Sequence, residues 1–105
     1  MDTPKNIMLK LIKKQVKSID PTADIILYGS RARGDERADS DWDILILVES
    51  KVDIETEKIF RHNLYDIELE FGESLSTFVF NKHDWKSNHW MTAYYKNVSD
   101  QGIAI

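Results

Sequence analysis

The chain has 105 residues and no cysteine, so disulfides and thiolate metal sites are excluded. Hydrophobic residues at 42% and charged residues at 30% make an ordinary folded composition and argue against disorder. A net charge of -4 gives no general reason to expect a nucleic-acid partner, because phosphate backbones need a basic face, while acidity is compatible with metal sites.

This length fits one domain, expected over residues 1–105. The start MDTPKNIMLKLIKK lacks the uninterrupted apolar core of a signal peptide, and no window approaches a membrane span. A cytoplasmic protein without a membrane partner is the expectation.

In chain order, Thr3-Pro4 suits a helix start, with a capping oxygen followed by proline at the first helical position. Ile7, Met8, Leu11, Ile12, Gln15, Val16 and Ile19 follow at helical spacing, and the helix should end before Asp20-Pro21. Residues 23–28 (ADIILY) are short, apolar and Ile-rich, as a buried strand would be. Gly29 ends that strand. Ser30 reads as the N-cap of a short helix, SRARG, stopped at Gly34. Residues 35–40 are polar except for Ala38 and form a loop.

Residues 41–48 (DWDILILV) give the second strand, and 49–53 a polar connection. Residues 54–71 carry a helical stripe of Ile54, Phe60, Leu64, Ile67 and Phe71. They also show a strand-like alternation at Ile67, Leu69 and Phe71. Length favours one helix to Phe71, closed by Gly72. Residues 75–80 (LSTFVF) are then the third strand, and 82–90 a helical turn or short helix. The end, AYYKNVSDQGIAI, is a further helix stopped at Gly102 with a short extension. This alternation predicts an α/β (α+β) domain: a small sheet with helices on one face and chemistry on the other.

The chemistry concentrates in IILYGSRARGDERADSDWDILILV. Asp41 and Asp43 are two residues apart on a strand and therefore share a face. Two carboxylates so placed repel each other unless a cation sits between them. Oxygen donors of this kind suit Mg²⁺ or Mn²⁺, which also bind triphosphate oxygens. Trp42 points the other way, toward a helix. The backbone at Gly29-Ser30, opening a helix, can take phosphate, with the Ser30 hydroxyl as a further donor. Arg31 and Arg33 can neutralise a terminal phosphate. The competing reading pairs Arg31, Arg33 and Arg37 with Asp35, Glu36 and Asp39 on the surface.

The segment GSRARGDERADSDWDILILV resembles the signature of the DNA polymerase β-like nucleotidyltransferase superfamily: Gly-Ser, about ten residues, then Asp-x-Asp. The shortness of the chain is similar to that of its smallest members, the minimal nucleotidyltransferases. The resemblance is tightest over residues 23–48 and looser in the tail WKSNHWMTAYYKNVSDQGI. It implies a compact domain with a mixed sheet. It also implies transfer of a nucleoside monophosphate, AMP first among the candidates, from a triphosphate to an acceptor hydroxyl with Mg²⁺.

Gly29 and Ser30 match the family's phosphate-binding residues, and Asp41 and Asp43 its metal ligands. The resemblance further implies a partner: such domains are often paired with a helical HEPN-domain protein, a toxin-like ribonuclease that they silence. The family also has a third carboxylate on a later strand. LSTFVF has no acid, which leaves Glu68, Glu70, Glu73 or none. If none serves, the domain binds nucleotide and neutralises its partner by docking.

His62, His83 and His89 lack zinc-site spacing and read as structural or surface groups. Trp85, Trp90, Tyr94 and Tyr95 read as packing against the core or a partner rather than as a base-stacking platform.

Overall fold

The computed structural model describes residues 3–105; Met1 and Asp2, at the start of the expected 1–105 domain, lie outside the described residues. Helix α1 (Pro4–Ile19) starts as its sequence indicates, with the Thr3 hydroxyl accepting the Asn6 amide at 3.2 Å. Strand β1 (Asp24–Tyr28) leads into the short helix α2 (Ser30–Arg33), and β2 (Trp42–Val48) follows the polar loop. Helix α3 spans Ile54–Phe71 and ends at Gly72, which takes the left-handed conformation at φ 65°. The chain continues through β3 (Leu75–Asn81), α4 (Lys82–Asn88) and α5 (Ala93–Gln101).

The short extension after Gly102 is a strand, β4 (Ile103–Ala104), paired with β1. Four strands therefore form one mixed sheet in the order β3-β2-β1-β4. β1 is antiparallel to β2 and β4, whereas β2 and β3 are parallel.

The two long helices share one face of the sheet. Met8, Ile12 and Val16 of α1 and Phe60, Leu64 and Ile67 of α3 pack on Ile25, Leu27, Trp42, Ile44, Ile46 and Val79. The helical stripe expected on α3 is thus buried only in its middle. Ile54 is 69% exposed and Phe71 41%.

The opposite face is partly covered as well. Trp85 of α4 and Val98 of α5 pack on Leu45 and Leu47, with Ile26, Tyr28, Phe80 and Tyr94 at their margin. β2 is therefore buried on both sides, which explains the unbroken run ILILV. The α4–α5 layer lies over the middle of that second face, and the dyad end, at the start of β2, is more open: Asp41 is exposed and Asp43 half-buried. Among the described residues no helix is long and apolar enough to cross a membrane.

Candidate active site

Asp43 is the second residue of β2 and points away from the buried Trp42, onto the partly covered face. Its neighbours in register are Tyr28 on β1 and Ser76 on β3. β1 ends at Tyr28, and the chain turns at Gly29 with φ 76° and ψ -160°, a region that residues with a side chain do not tolerate. Space dictates glycine here too, since a Cβ at position 29 would collide with the Asp43 carboxylate. The two signals that the sequence separates are thus in contact. Gly29 itself takes the cap position and Ser30 is the first helical residue, so Ser30 is not the N-cap expected from its side chain. The Gly29 carbonyl accepts the amides of Ala32 and Arg33 at 3.1 and 3.0 Å. The amides of Ser30 and Arg31 come too early in α2 to find partners inside it.

Asp41 is exposed, immediately ahead of β2, and its charge reaches Asp43. Burial, and then the Asp41 charge, hold the Asp43 carboxyl above its ordinary range, while Arg33 opposes them. A cation at this position would offset both effects. Arg33 lies on the same side, donating from Nε to Asp35 at 3.2 Å and from Nη1 to Gln101 of α5 at 2.9 Å.

Arg31, expected either to contact phosphate or to pair on the surface, lies on the Trp42 side. Its Nε and Nη2 donate to the Ser40 carbonyl at 3.1 and 2.9 Å. Its guanidinium lies 4.3 Å from the Trp42 ring centre and 3.5 Å from Glu73. Arg31 therefore fastens the loop between the two motifs to the Trp42 side. Arg37 stays in that loop, its amide donating to the Ser40 hydroxyl at 2.9 Å.

None of the three candidate acids joins the dyad. Glu68 accepts the Leu75 amide at 2.9 Å, Glu70 is exposed on α3, and Glu73 accepts Trp42 Nε1 at 3.3 Å. The residues of β3 on the dyad face are Ser76, Phe78 and Phe80, none of them acidic. Among the described residues no three His, Asp or Glu side chains are gathered to hold a metal. Two carboxylates nevertheless fit Mg²⁺ or Mn²⁺, which complete their shell with water and phosphate oxygens.

Two tyrosines beside the dyad were not singled out as site residues. Tyr28 faces Asp43 across the sheet, and the Tyr94 hydroxyl from α5 donates to the Tyr28 hydroxyl at 2.9 Å. Burial, first of all, pushes both phenols above their ordinary range, and the Asp43 charge adds to it. The alternation of β1 could have put Tyr28 on the outward face, but only the strand pairing shows that this face carries Asp43.

The model of the family described as nucleotidyltransferase domain matches residues 9–88, which include both motifs. The chain belongs to this family. The match spans α1 to α4 and leaves α5 and β4 outside it. No match was found among curated proteins.

Among solved structures, a toxin-antitoxin crystallised with AMP-PNP is 20% identical, with a TM-score of 0.67 over 90% of this chain and 69% of that one. A tyrosine-to-alanine variant of the toxin-antitoxin MntA-HpeT is 19% identical, with a TM-score of 0.63 over 99% and 72%. A variant of the same pair with two Asp-to-Glu changes is 17% identical, with a TM-score of 0.63 over 97% and 72%. These likenesses show the same fold: the nucleotidyltransferase domain has the mixed sheet and helices expected of a minimal, polymerase β-like member.

Proposed function

We propose that this nucleotidyltransferase domain transfers a nucleoside monophosphate, with ATP as donor, to a hydroxyl on a partner protein and acts as the antitoxin of that partner. The observation that supports the reading is the closeness of Gly29 to the Asp43 carboxylate, which brings the Gly-Ser turn against the Asp-x-Asp pair. The triphosphate tail lies at Gly29-Ser30 with Arg33 beside it, and the α-phosphate lies at Asp41 and Asp43. When bound, Mg²⁺ or Mn²⁺ supplies the positive charge that reconciles the phosphates with the two carboxylates.

The acceptor oxygen forms a bond to the α-phosphorus while the bridge to the β-phosphate breaks and pyrophosphate leaves. The hydroxyl proton goes to water or to a base that the acceptor brings, since among the described residues no third acid joins the pair. Positioning and charge neutralisation then supply most of the rate. A protein partner is supported by the three structural neighbours described above, each a toxin-antitoxin protein, one with AMP-PNP and one altered at two aspartates. A HEPN-like helical protein is the partner that the family resemblance implies.

One observation favours a second reading. The dyad face of β3 carries Ser76 and Phe78 where a third acid would stand, and general-base help is worth about a hundredfold or more. A domain without it could bind nucleotide and silence its partner by docking alone. The two readings separate in one experiment: α-labelled ATP, Mg²⁺ and the partner are incubated with wild type or the Asp41→Asn/Asp43→Asn double variant. Transfer predicts a labelled partner with wild type only. Equal labelling by both proteins rejects it. Silencing by the double variant supports docking.

A further inference from the structure

The hydroxyls of Tyr28 and Tyr94 carry two protons and share one hydrogen bond of 2.9 Å. One proton is therefore left over, and neither hydroxyl has another acceptor among the described residues. The pair is half-buried, and the two rings meet edge to face at 5.5 Å. Tyr94 is wedged in place by Phe78, Phe80 and Trp85, at 5.9, 6.4 and 5.5 Å between ring centres. Tyr28 immediately precedes Gly29 and pairs with Asp43, so the residue with the spare donor adjoins the Gly-Ser turn and shares the face of Asp43. A half-buried donor with no protein acceptor is free to give its hydrogen bond to a ligand oxygen in place of water.

We propose that the Tyr28 hydroxyl, oriented by Tyr94, is a nucleotide-binding donor that gives its spare hydrogen bond to an oxygen of the bound nucleotide. The acceptor is a phosphate oxygen or a sugar hydroxyl, both within the chemistry of one ligand. This rests on the nucleotide site proposed above. Tyr94 is then a positioning residue: it accepts nothing from the ligand but fixes the direction of the Tyr28 hydroxyl. It lies on α5, outside the segment matched by the family model, whereas Tyr28 lies inside it.

The test is calorimetric titration of wild type, Tyr28→Phe, Tyr94→Phe and the double variant with AMP-PNP and Mg²⁺, alongside their unfolding midpoints. Loss of one hydrogen bond to a charged oxygen predicts about tenfold weaker binding for Tyr28→Phe. Tyr94→Phe should lose about threefold, and the double variant no more than Tyr28→Phe alone, because the pair acts as a unit. Repeating the series with 2′-deoxy- and 3′-deoxy-ATP locates the acceptor. A tyrosine effect that disappears with one analogue identifies that sugar hydroxyl, and an effect that persists with both identifies phosphate. Lower midpoints with unchanged affinity would show a purely structural pair and overturn the proposal. Absence of AMP-PNP binding by wild type would overturn the nucleotide site itself. Binding by wild type that Tyr28→Phe leaves intact overturns only the role of Tyr28.

Discussion

A methyl group on Gly29 would occupy space held by the Asp43 carboxylate. This single relationship joins the turn after β1 to the carboxylate pair at the start of β2. Gly29→Ala is therefore penalised twice, by its φ of 76° and by the collision. We expect a loss of about 1–3 kcal/mol from the backbone alone. Urea unfolding of Gly29→Ala in wild-type and Asp43→Ala backgrounds checks this. The penalty should shrink when Asp43 is shortened, and equal penalties would contradict the contact.

The Asp43 carboxyl is held above its ordinary value of 3.8 by burial and by Asp41. The folded protein then holds this proton more tightly than the unfolded chain between 3.8 and the raised value. Its contribution is least unfavourable below 3.8, and stability falls as pH rises through that window. Asp43→Asn should therefore melt above wild type at pH 7, with the gap closing in acid. Thermal melts across pH measure it. Added Mg²⁺ should raise the wild-type midpoint and leave Asp41→Asn/Asp43→Asn unmoved.

Arg31 and Arg33, two residues apart, should behave differently. Arg31→Ala removes the bonds to the Ser40 carbonyl and the cover over Trp42, and should destabilise by about 1–3 kcal/mol. Arg33 makes exposed contacts, which contribute little to stability. Arg33→Ala should melt near wild type and bind ATP several-fold more weakly. Melting curves and ATP titrations on the two variants make the comparison, and the reverse pattern would contradict these assignments.

These arginines also show where sequence reading stops. Capping residues and apolar periods are local signals, so the helices, the end of β1 at Gly29 and the start of β2 near Asp43 are legible in the sequence. The α3 ambiguity resolved toward helix because Gly72 could close it in the left-handed conformation. Side-chain direction on a four-residue helix is not a local signal. It depends on Trp42 and Glu73, which only the folded chain brings to Arg31. Tyr28 stayed silent for a similar reason: its importance comes from strand pairing. The tail IAI gave no strand signal, because so short a strand is defined by β1 beside it. The third acid was left open by sequence, and the structure turns Glu68 and Glu73 to Leu75 and Trp42 instead.

The helical face that supports the site can be tested apart from the chemistry. Phe60 is 2% exposed between α3 and the sheet. Phe60→Ala should cost about 3–5 kcal/mol by opening a cavity. Chemical denaturation measures it, and a loss below about 1 kcal/mol would contradict the packing described.

The proposed function requires Gly29-Ser30 and Asp41-Asp43 to form one site for a metal-bound nucleoside triphosphate. Calorimetric titration of ATP in the presence of Mg²⁺ tests it most directly, with wild type beside the Asp41→Asn/Asp43→Asn double variant. The account predicts saturable binding to wild type that depends on Mg²⁺ and is lost in the double variant. Equal binding by the two proteins, or no binding by a folded wild type, would contradict it.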